Sequence, residues 1–195
     1  ALYWADEKDE AGNVIGRKTV NKTSLATRYE LDKSPIPDLY GGFSTYLEFI
    51  GFDLSANFAY QIGGWVYDSL YSGFMGAGSA GTNWHKDILN RWTPENRYTD
   101  IPRLQENSLD QGVSGDRSLT KASYLSLRSM TFGYSLPKRW ISKAKIEKLR
   151  FYVVGDNLFL LSARKGFDPR QSITGDTDYN YSAMRTVSFG INLEF

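Results

Sequence analysis

Cysteine is absent from this chain of 195 residues. That excludes a disulfide scaffold, a thiolate metal site and a cysteine nucleophile. Histidine occurs once, as His85, so a Ser-His-Asp triad or a two-histidine metal site would rest on one ring. An excess of either charge is missing too: 23 Lys and Arg face 22 Asp and Glu. No global field therefore draws in nucleic acid or holds the chain on an anionic surface. There is no run of about 18 apolar residues, so no helix of this chain can cross a bilayer, and a membrane role would require a barrel. Ala1 to Glu10 is acidic and lacks the basic start and apolar stretch of a signal peptide. Any export signal is expected upstream.

What is present leans toward β structure. Aromatic residues make up 15% of the chain and glycine contributes 18 residues, the types that fill strands, form interfacial belts and turn hairpins. Phe43, Thr45, Leu47 and Phe49 share one face of a strand, with Ser44, Tyr46 and Glu48 on the other. After a turn at Ile50-Gly51, Phe52, Leu54, Ala56, Phe58, Tyr60 and Ile62 alternate against Asp53, Ser55, Asn57, Ala59 and Gln61. A third strand spans about Tyr124 to Leu136. Its apolar phase slips between Leu127 and Met130, which a bulge near Arg128 or Ser129 would reconcile. A fourth begins at Leu149 and runs to about Leu161, and a fifth carries Val187, Phe189, Ile191, Leu193 and Phe195 on one unbroken face.

These strands are long enough for a tilted bilayer crossing of about 9 to 11 residues, whereas soluble strands average about 5 to 6. Their connections alternate short and long, as in outer-membrane barrels with tight periplasmic turns and long outer loops. Five strands cannot close, since the smallest single-chain barrels have about 8. The expected fold is therefore all-β: antiparallel strands forming the C-terminal part of a large transmembrane β-barrel with long extracellular loops. Residues 1–195 form one segment of a barrel domain. It divides into an outer loop at 1–38, a hairpin at 39–62, and a long outer loop at 63–121 with a short helix over Thr82 to Trp92. Two strands at 123–161 then flank a basic periplasmic turn, followed by an outer loop at 162–183 and the terminal strand at 185–195.

Several stretches resemble the SusC/RagA-type TonB-dependent outer-membrane proteins of Bacteroidota. They include Ser34-Pro35-Ile36-Pro37-Asp38-Leu39-Tyr40-Gly41-Gly42, Gly51-Phe52-Asp53-Leu54-Ser55, Arg91-Trp92-Thr93-Pro94-Glu95-Asn96 and Asp100-Ile101-Pro102-Arg103-Leu104. Further on come Tyr124-Leu125-Ser126-Leu127-Arg128, Gly133-Tyr134-Ser135-Leu136-Pro137, Gly155-Asp156-Asn157-Leu158-Phe159, Gly166-Phe167-Asp168-Pro169 and the ending Ser188 to Phe195. Their order matches the C-terminal end of the family. The resemblance implies a plugged barrel of about 22 strands in the bacterial outer membrane. It also implies a SusD-like lipoprotein lid and import of glycans or peptides with energy from TonB, whose contact segment lies upstream. The terminal residues Val187, Phe189, Ile191, Leu193 and Phe195 would be the signal read by the barrel-assembly machinery.

Candidate ligand or lid contacts are Trp65, Tyr67, Tyr71, Trp84 and Trp92, because flat aromatics bury area at low entropy cost. Against this, Trp84, Ile88, Leu89 and Trp92 form one helical stripe that would anchor the loop's own core. Asp168, Asp176 and Asp178 could ligate calcium, which prefers hard oxygen donors, or stand as solvated carboxylates. Gly76 to Gly81 spells G-x-G-x-x-G, but a half-polar strand precedes it where a dinucleotide fold needs a buried one. His85 is expected to face solvent. Lys138, Arg139, Lys143, Lys145 and Lys148 read as a solvated turn, since no aromatic platform interleaves them for nucleic acid. No cofactor site emerges, and no nucleophile, base or metal constellation supports an enzyme. The alternative to a transporter segment is a soluble carbohydrate-binding β-sandwich with Trp65, Trp84 and Trp92 as its sugar platform.

Overall fold

The structure, a computed structural model, describes residues 2–76, 81–104, 115–171, 174–177 and 181–195. Along the chain lie β1 (Tyr3–Lys8), β2 (Val14–Val20), β3 (Leu39–Phe49), β4 (Phe52–Ile62), β5 (Trp65–Asp68), α1 (Ser69–Met75) and β6 (Leu119–Lys121). Then come β7 (Tyr124–Ser135), α2 (Lys138–Ile141), β8 (Lys148–Leu161), β9 (Asp176–Thr177) and β10 (Thr186–Glu194). Two units form. One gathers Ala1–Lys33, Tyr67–Leu119 and Asp176–Asp178; the other gathers Ser34–Val66, Thr120–Gly175 and Tyr179–Phe195.

The second unit is built on a five-stranded antiparallel meander in the order β10-β8-β7-β4-β3. Strands of 11, 11, 12, 14 and 9 residues match the length of tilted bilayer crossings and are about twice that of ordinary soluble strands. Cross-strand register aligns the apolar positions in rows: Leu54 pairs with Phe132, Phe132 with Val153, and Val153 with Phe189. The slipped phase of the third strand is resolved as the sequence suggested. Registers shift between Asn57 and Phe58 and between Leu127 and Ser129, so Arg128 is the extra residue of a bulge against β4, while on β8 two residues, Asn157 and Leu158, stand opposite it. Leu127 thereby joins Phe58 and Phe159 on the same face as Met130 and Phe132.

That face is uncovered. Phe49, Phe132 and Phe189 are 73%, 48% and 80% exposed, and among the described residues no second sheet packs on it. A soluble sandwich would bury such a face. Aromatic rows cross it: Phe43 stacks on Phe58 at 4.7 Å, and Phe52 meets Tyr134 at 4.4 Å. No described helix is long and apolar enough to cross a membrane, a statement that does not bear on strands.

The opposite face is held by a different device. Asp53 on β4 pairs with Gly133 on β7, which pairs with Tyr152 on β8, which pairs with Gly190 on β10. The Arg150 guanidinium reaches over Gly133 to Asp53 in a two-pronged ion pair, with Nε donating to Oδ1 at 2.8 Å. A Cβ on Gly133 would lie 2.5 Å from Arg150 Nη2 and 2.6 Å from Asp53 Oδ1, so only glycine leaves the passage open. Gly190 likewise makes room for the Tyr152 ring, over which Arg150 lies at 4.9 Å.

Two expectations from sequence are corrected. Residues 1–38 are not irregular throughout, because β1 and β2 pair as an antiparallel hairpin. It is closed by Asp9, whose carboxylate accepts from the Asn13 amide at 2.8 Å, and by Gly12 at φ +87°. The Tyr29 hydroxyl donates to Asp6 at 2.6 Å, and Arg17 lies over the Tyr29 ring. These ties are polar, so hydrophobic alternation passes over them. The helix expected over Thr82 to Trp92 is a short 3-10 turn, Lys86–Asn90. Its end is drawn off by Asn96 Nδ2 and Thr99 Oγ1, both donating to the Asn90 carbonyl. The α-helix of this region is instead α1, started by Asp68 accepting from the Tyr71 amide.

In the β3–β4 turn, Ile50 and Gly51 both have positive φ, +48° and +80°, as a two-residue primed turn demands. A β-branched residue is strained there. Ile50→Asn should stabilise the full-length protein by about 1 kcal/mol, read as a higher urea midpoint for loss of compact gel mobility. Gly133→Ala should do the reverse by about 1–3 kcal/mol. The same urea series checks it, and an unchanged midpoint would show that Arg150 does not need that passage.

Candidate functional site

The polar face of the sheet carries several side-chain pairs. Asn57 Nδ2 donates to Ser129 Oγ at 2.9 Å, and the fully buried Ser126 donates to the Ala59 carbonyl at 3.3 Å. Tyr46 donates to Glu48 at 3.0 Å, and Lys148 stands 3.6 Å from Glu194. Among the described residues no buried side-chain nitrogen or oxygen lacks a partner. Such a face suits contact with water or another polar surface, opposite an apolar face that suits neither.

The five aromatic candidates divide between the two units. Trp65 is half-buried in the sheet-bearing unit, where its amide donates to the Ser34 carbonyl at 2.8 Å. Tyr67, Tyr71, Trp84 and Trp92 fall in the other unit. Two of these have their hydroxyls engaged: Tyr67 shares a hydrogen bond with Ser72, and Tyr71 donates to Asp87 at 3.1 Å. The expected apolar stripe is not buried as a stripe. Ile88 is buried, but Leu89 is 74% exposed, Trp84 42% and Trp92 39%. The 3-10 turn ends short of both tryptophans, which flank it and stay part-exposed.

His85 is not a solvent-facing side chain, contrary to the expectation. It is half-buried, its ring is edge-on to Tyr71 at 4.9 Å, and its Nδ1 accepts from the Asp87 amide at 3.2 Å. It caps the 3-10 turn. The glycine stretch is preceded by α1 rather than by a buried strand, and the next element after it is the 3-10 turn, so no strand-loop-helix cradle forms around it; residues 77–80 lie outside the described residues.

The calcium reading fails for the aspartates that can be placed. Asp168, 5% exposed, receives Arg170 Nε at 2.8 Å and Nη2 at 2.8 Å, together with the Arg170 amide at 3.0 Å. Its acceptor sites are occupied by a guanidinium. Asp176 accepts from Ser69 Oγ at 2.5 Å. Asp178 lies outside the described residues. No group of three metal-binding side chains occurs among the described residues. Burial acts to raise the Asp168 carboxyl, but the side-chain and backbone hydrogen bonds from Arg170, with its charge, outweigh it. The carboxyl is held below the usual carboxylate range.

Sequence reasoning missed the Asp53–Arg150 and Asp168–Arg170 pairs. The first joins residues 97 apart, which no local spacing announces. The second was within reach, since Asp and Arg two residues apart after Gly166-Phe167 suggest a capped turn.

Comparison with known proteins agrees with the geometry. The chain is 30% identical, over 97% of its length, to TonB-dependent receptor P3 of Formosa agariphila, and 25% identical over 96% to TonB-dependent receptor SusC of Bacteroides thetaiotaomicron. It covers 19% and 18% of those proteins, so it spans about a fifth of the curated relatives it matches. No protein-family model matches. Among solved structures, the RagAB peptide transporter matches the whole chain at a TM-score of 0.74 and 28% identity, with 22% of its own chain covered. The RagAB peptide importer in a closed-closed state matches with a TM-score of 0.72. In sequence and fold the chain is related to SusC/RagA-type TonB-dependent receptors, and its sheet is a stretch of their β-barrel wall.

The depressed Asp168 acidity fixes a sign. A carboxyl whose pKa is lower folded than unfolded contributes stability above its unfolded value, and that contribution is lost as pH falls through the folded one. Amide protection at Phe167 and Gln171, measured by hydrogen exchange in the full-length protein, should therefore persist on acidification through the ordinary carboxylate range and be lost below it. Asp168→Asn should abolish that pH dependence.

Proposed function

We propose, for this relative of the SusC/RagA-type receptors, that it forms barrel wall, outer loops and closing strand of a bacterial outer-membrane nutrient importer. The observation that carries the reading is the continuous exposed apolar face across five crossing-length strands, backed by a polar face whose described buried side-chain nitrogens and oxygens all have hydrogen-bond partners. The apolar face meets membrane lipid, and the polar face lines the interior. The turns at Ile50-Gly51 and 136–147, with Phe195, stand on the periplasmic side. Residues 1–38, 63–121 and 162–183 stand outside.

In this reading the importer works with a SusD-like lipoprotein lid and draws energy through TonB, engaged by a segment outside this chain. The nutrient is a glycan or a peptide. Relatives named SusC and RagAB support the pairing, and RagAB is described as a peptide importer. Trp65, Tyr67, Tyr71, Trp84 and Trp92 are contacts for the nutrient or the lid, with Trp84 and Trp92 part-exposed. Val187, Phe189, Ile191, Leu193 and Phe195 are read by the barrel-assembly machinery. A soluble sugar-binding sandwich is disfavoured, since it needs a second sheet over the apolar face.

Neighbouring residues of β10 test the assignment of faces. Phe189→Lys places a charge in lipid at mid-strand and should cost about 2–4 kcal/mol of barrel stability, while Ser188→Lys, facing the interior, should cost far less. The folded fraction of the full-length protein in isolated outer membranes, read by heat-modifiable gel mobility, decides this. Equal effects at the two positions would sink the reading.

A further inference from the structure

A cavity of about 590 Å³ lies at the long-connection end of β8. It exists because β10 stops early. Thr186 pairs with Asp156, so β8 runs on from Asn157 to Leu161 without β10 beside it. Asn157 turns out of the strand at φ +52°, and its Nδ2 donates to the Met184 carbonyl at 3.2 Å. The following loop folds back, with Ser162 Oγ donating to the Phe167 carbonyl and the Phe167 amide donating to the Arg164 carbonyl. The hollow left between is a built feature.

Its wall and rim differ in chemistry. Phe159 and Leu161, which register with Leu127 and Leu125, line it together with Leu160, which registers with Ser126, so two of the three apolar β8 residues on its wall belong to the apolar face. Its rim carries Arg164, Lys165, Arg170 and Arg185 against one carboxylate, Asp168, which Arg170 already engages. Arg170 and Asp168 neutralise each other, and Lys165 and Arg185 add positive charge to the rim. Arg164 stands over the Phe167 ring at 5.9 Å, and among the described residues Lys165 and Arg185 have no ion-pair partner. A concave, apolar-walled site with excess positive charge strengthens attraction for an anion.

We propose that this cavity seats the phosphorylated headgroup of an outer-leaflet lipid, with Lys165 and Arg185 on the phosphate and an acyl chain along Phe159 and Leu161. The inference rests on the outer-membrane reading above, which puts this end of the apolar face at headgroup level. An anionic nutrient would be met from the polar face, whereas Phe159 and Leu161 belong to the apolar one.

The test uses the full-length protein, purified in detergent and placed in phosphatidylcholine nanodiscs. Lipid A bearing its phosphates is the probe, compared with its dephosphorylated form and with inorganic phosphate. Lys165→Gln with Arg185→Gln should weaken retention of the phosphorylated lipid roughly thirtyfold, and Lys165→Gln alone roughly fivefold, with heat-modifiable mobility retained. The dephosphorylated lipid should bind equally weakly to all forms. Undiminished binding by the double variant overturns the proposal. So does inorganic phosphate displacing the probe at equal concentration, which would mark a site for free anions. Wild-type protein that stays soluble without detergent would instead defeat the outer-membrane reading itself.

Discussion

The phase of side chains across the five-stranded sheet is the constraint on which the rest depends. Successive residues of a strand point to opposite faces, so one residue out of step would carry apolar groups to the polar side and charges to the other. Arg128 absorbs the one residue by which β7 is out of phase with β4, and Asn157 with Leu158 on β8 absorbs a further one. With it, Leu125 and Leu127 share a face with Phe132 and Tyr134. Without it, the third strand would present Ser126 and Arg128 on the face of Met130 and Phe132. Both the lipid-facing and the interior readings depend on these two adjustments.

The polar face carries a second constraint, because charges close together on it must be matched. Asp53 and Arg150 lie on strands that are not neighbours, and the strand between them contributes Gly133 where a side chain would block their approach. The pair ties β4 to β8 over β7, near the end where the short turns lie. Gly190 plays the same part for Tyr152. Large and absent side chains alternate along that row, so a surface of charged and aromatic groups still packs closely. Removing one partner of such a pair costs more than the pair contributes, since a charge is left without its match.

The connections obey another logic. On the long-connection side the chain is held by polar ties: Asp9 to Asn13, Tyr29 to Asp6, Tyr71 to Asp87, and Arg170 to Asp168. Their apolar residues are only partly covered, and Trp84 and Trp92 stay part-exposed. Loops that fix themselves by hydrogen bonds can leave aromatic rings available for binding. The same polarity hid the hairpin at β1 and β2 and the cap of α1 from a reading based on hydrophobic period. An Asp followed by Ser69, with Leu70 and Phe74 four residues apart, was the available signal for that helix.

What the sequence determined by itself was the sheet: strand positions, the turn at Ile50-Gly51, the bulge at Arg128 and the identity of the two faces. These rest on a period of two and on local turn chemistry, both readable from neighbouring residues. Tertiary structure decided which charges meet and which side chains remain open. Asp168 could be a calcium ligand on composition, yet Arg170 folds onto it; Trp84 could anchor a helix, yet the turn that forms there begins only after it, at Lys86. Such outcomes depend on where the backbone places groups relative to one another in space. Spacing along the chain does not encode the cavity beside β8 either, because it arises where β10 ends in the sheet and β8 continues.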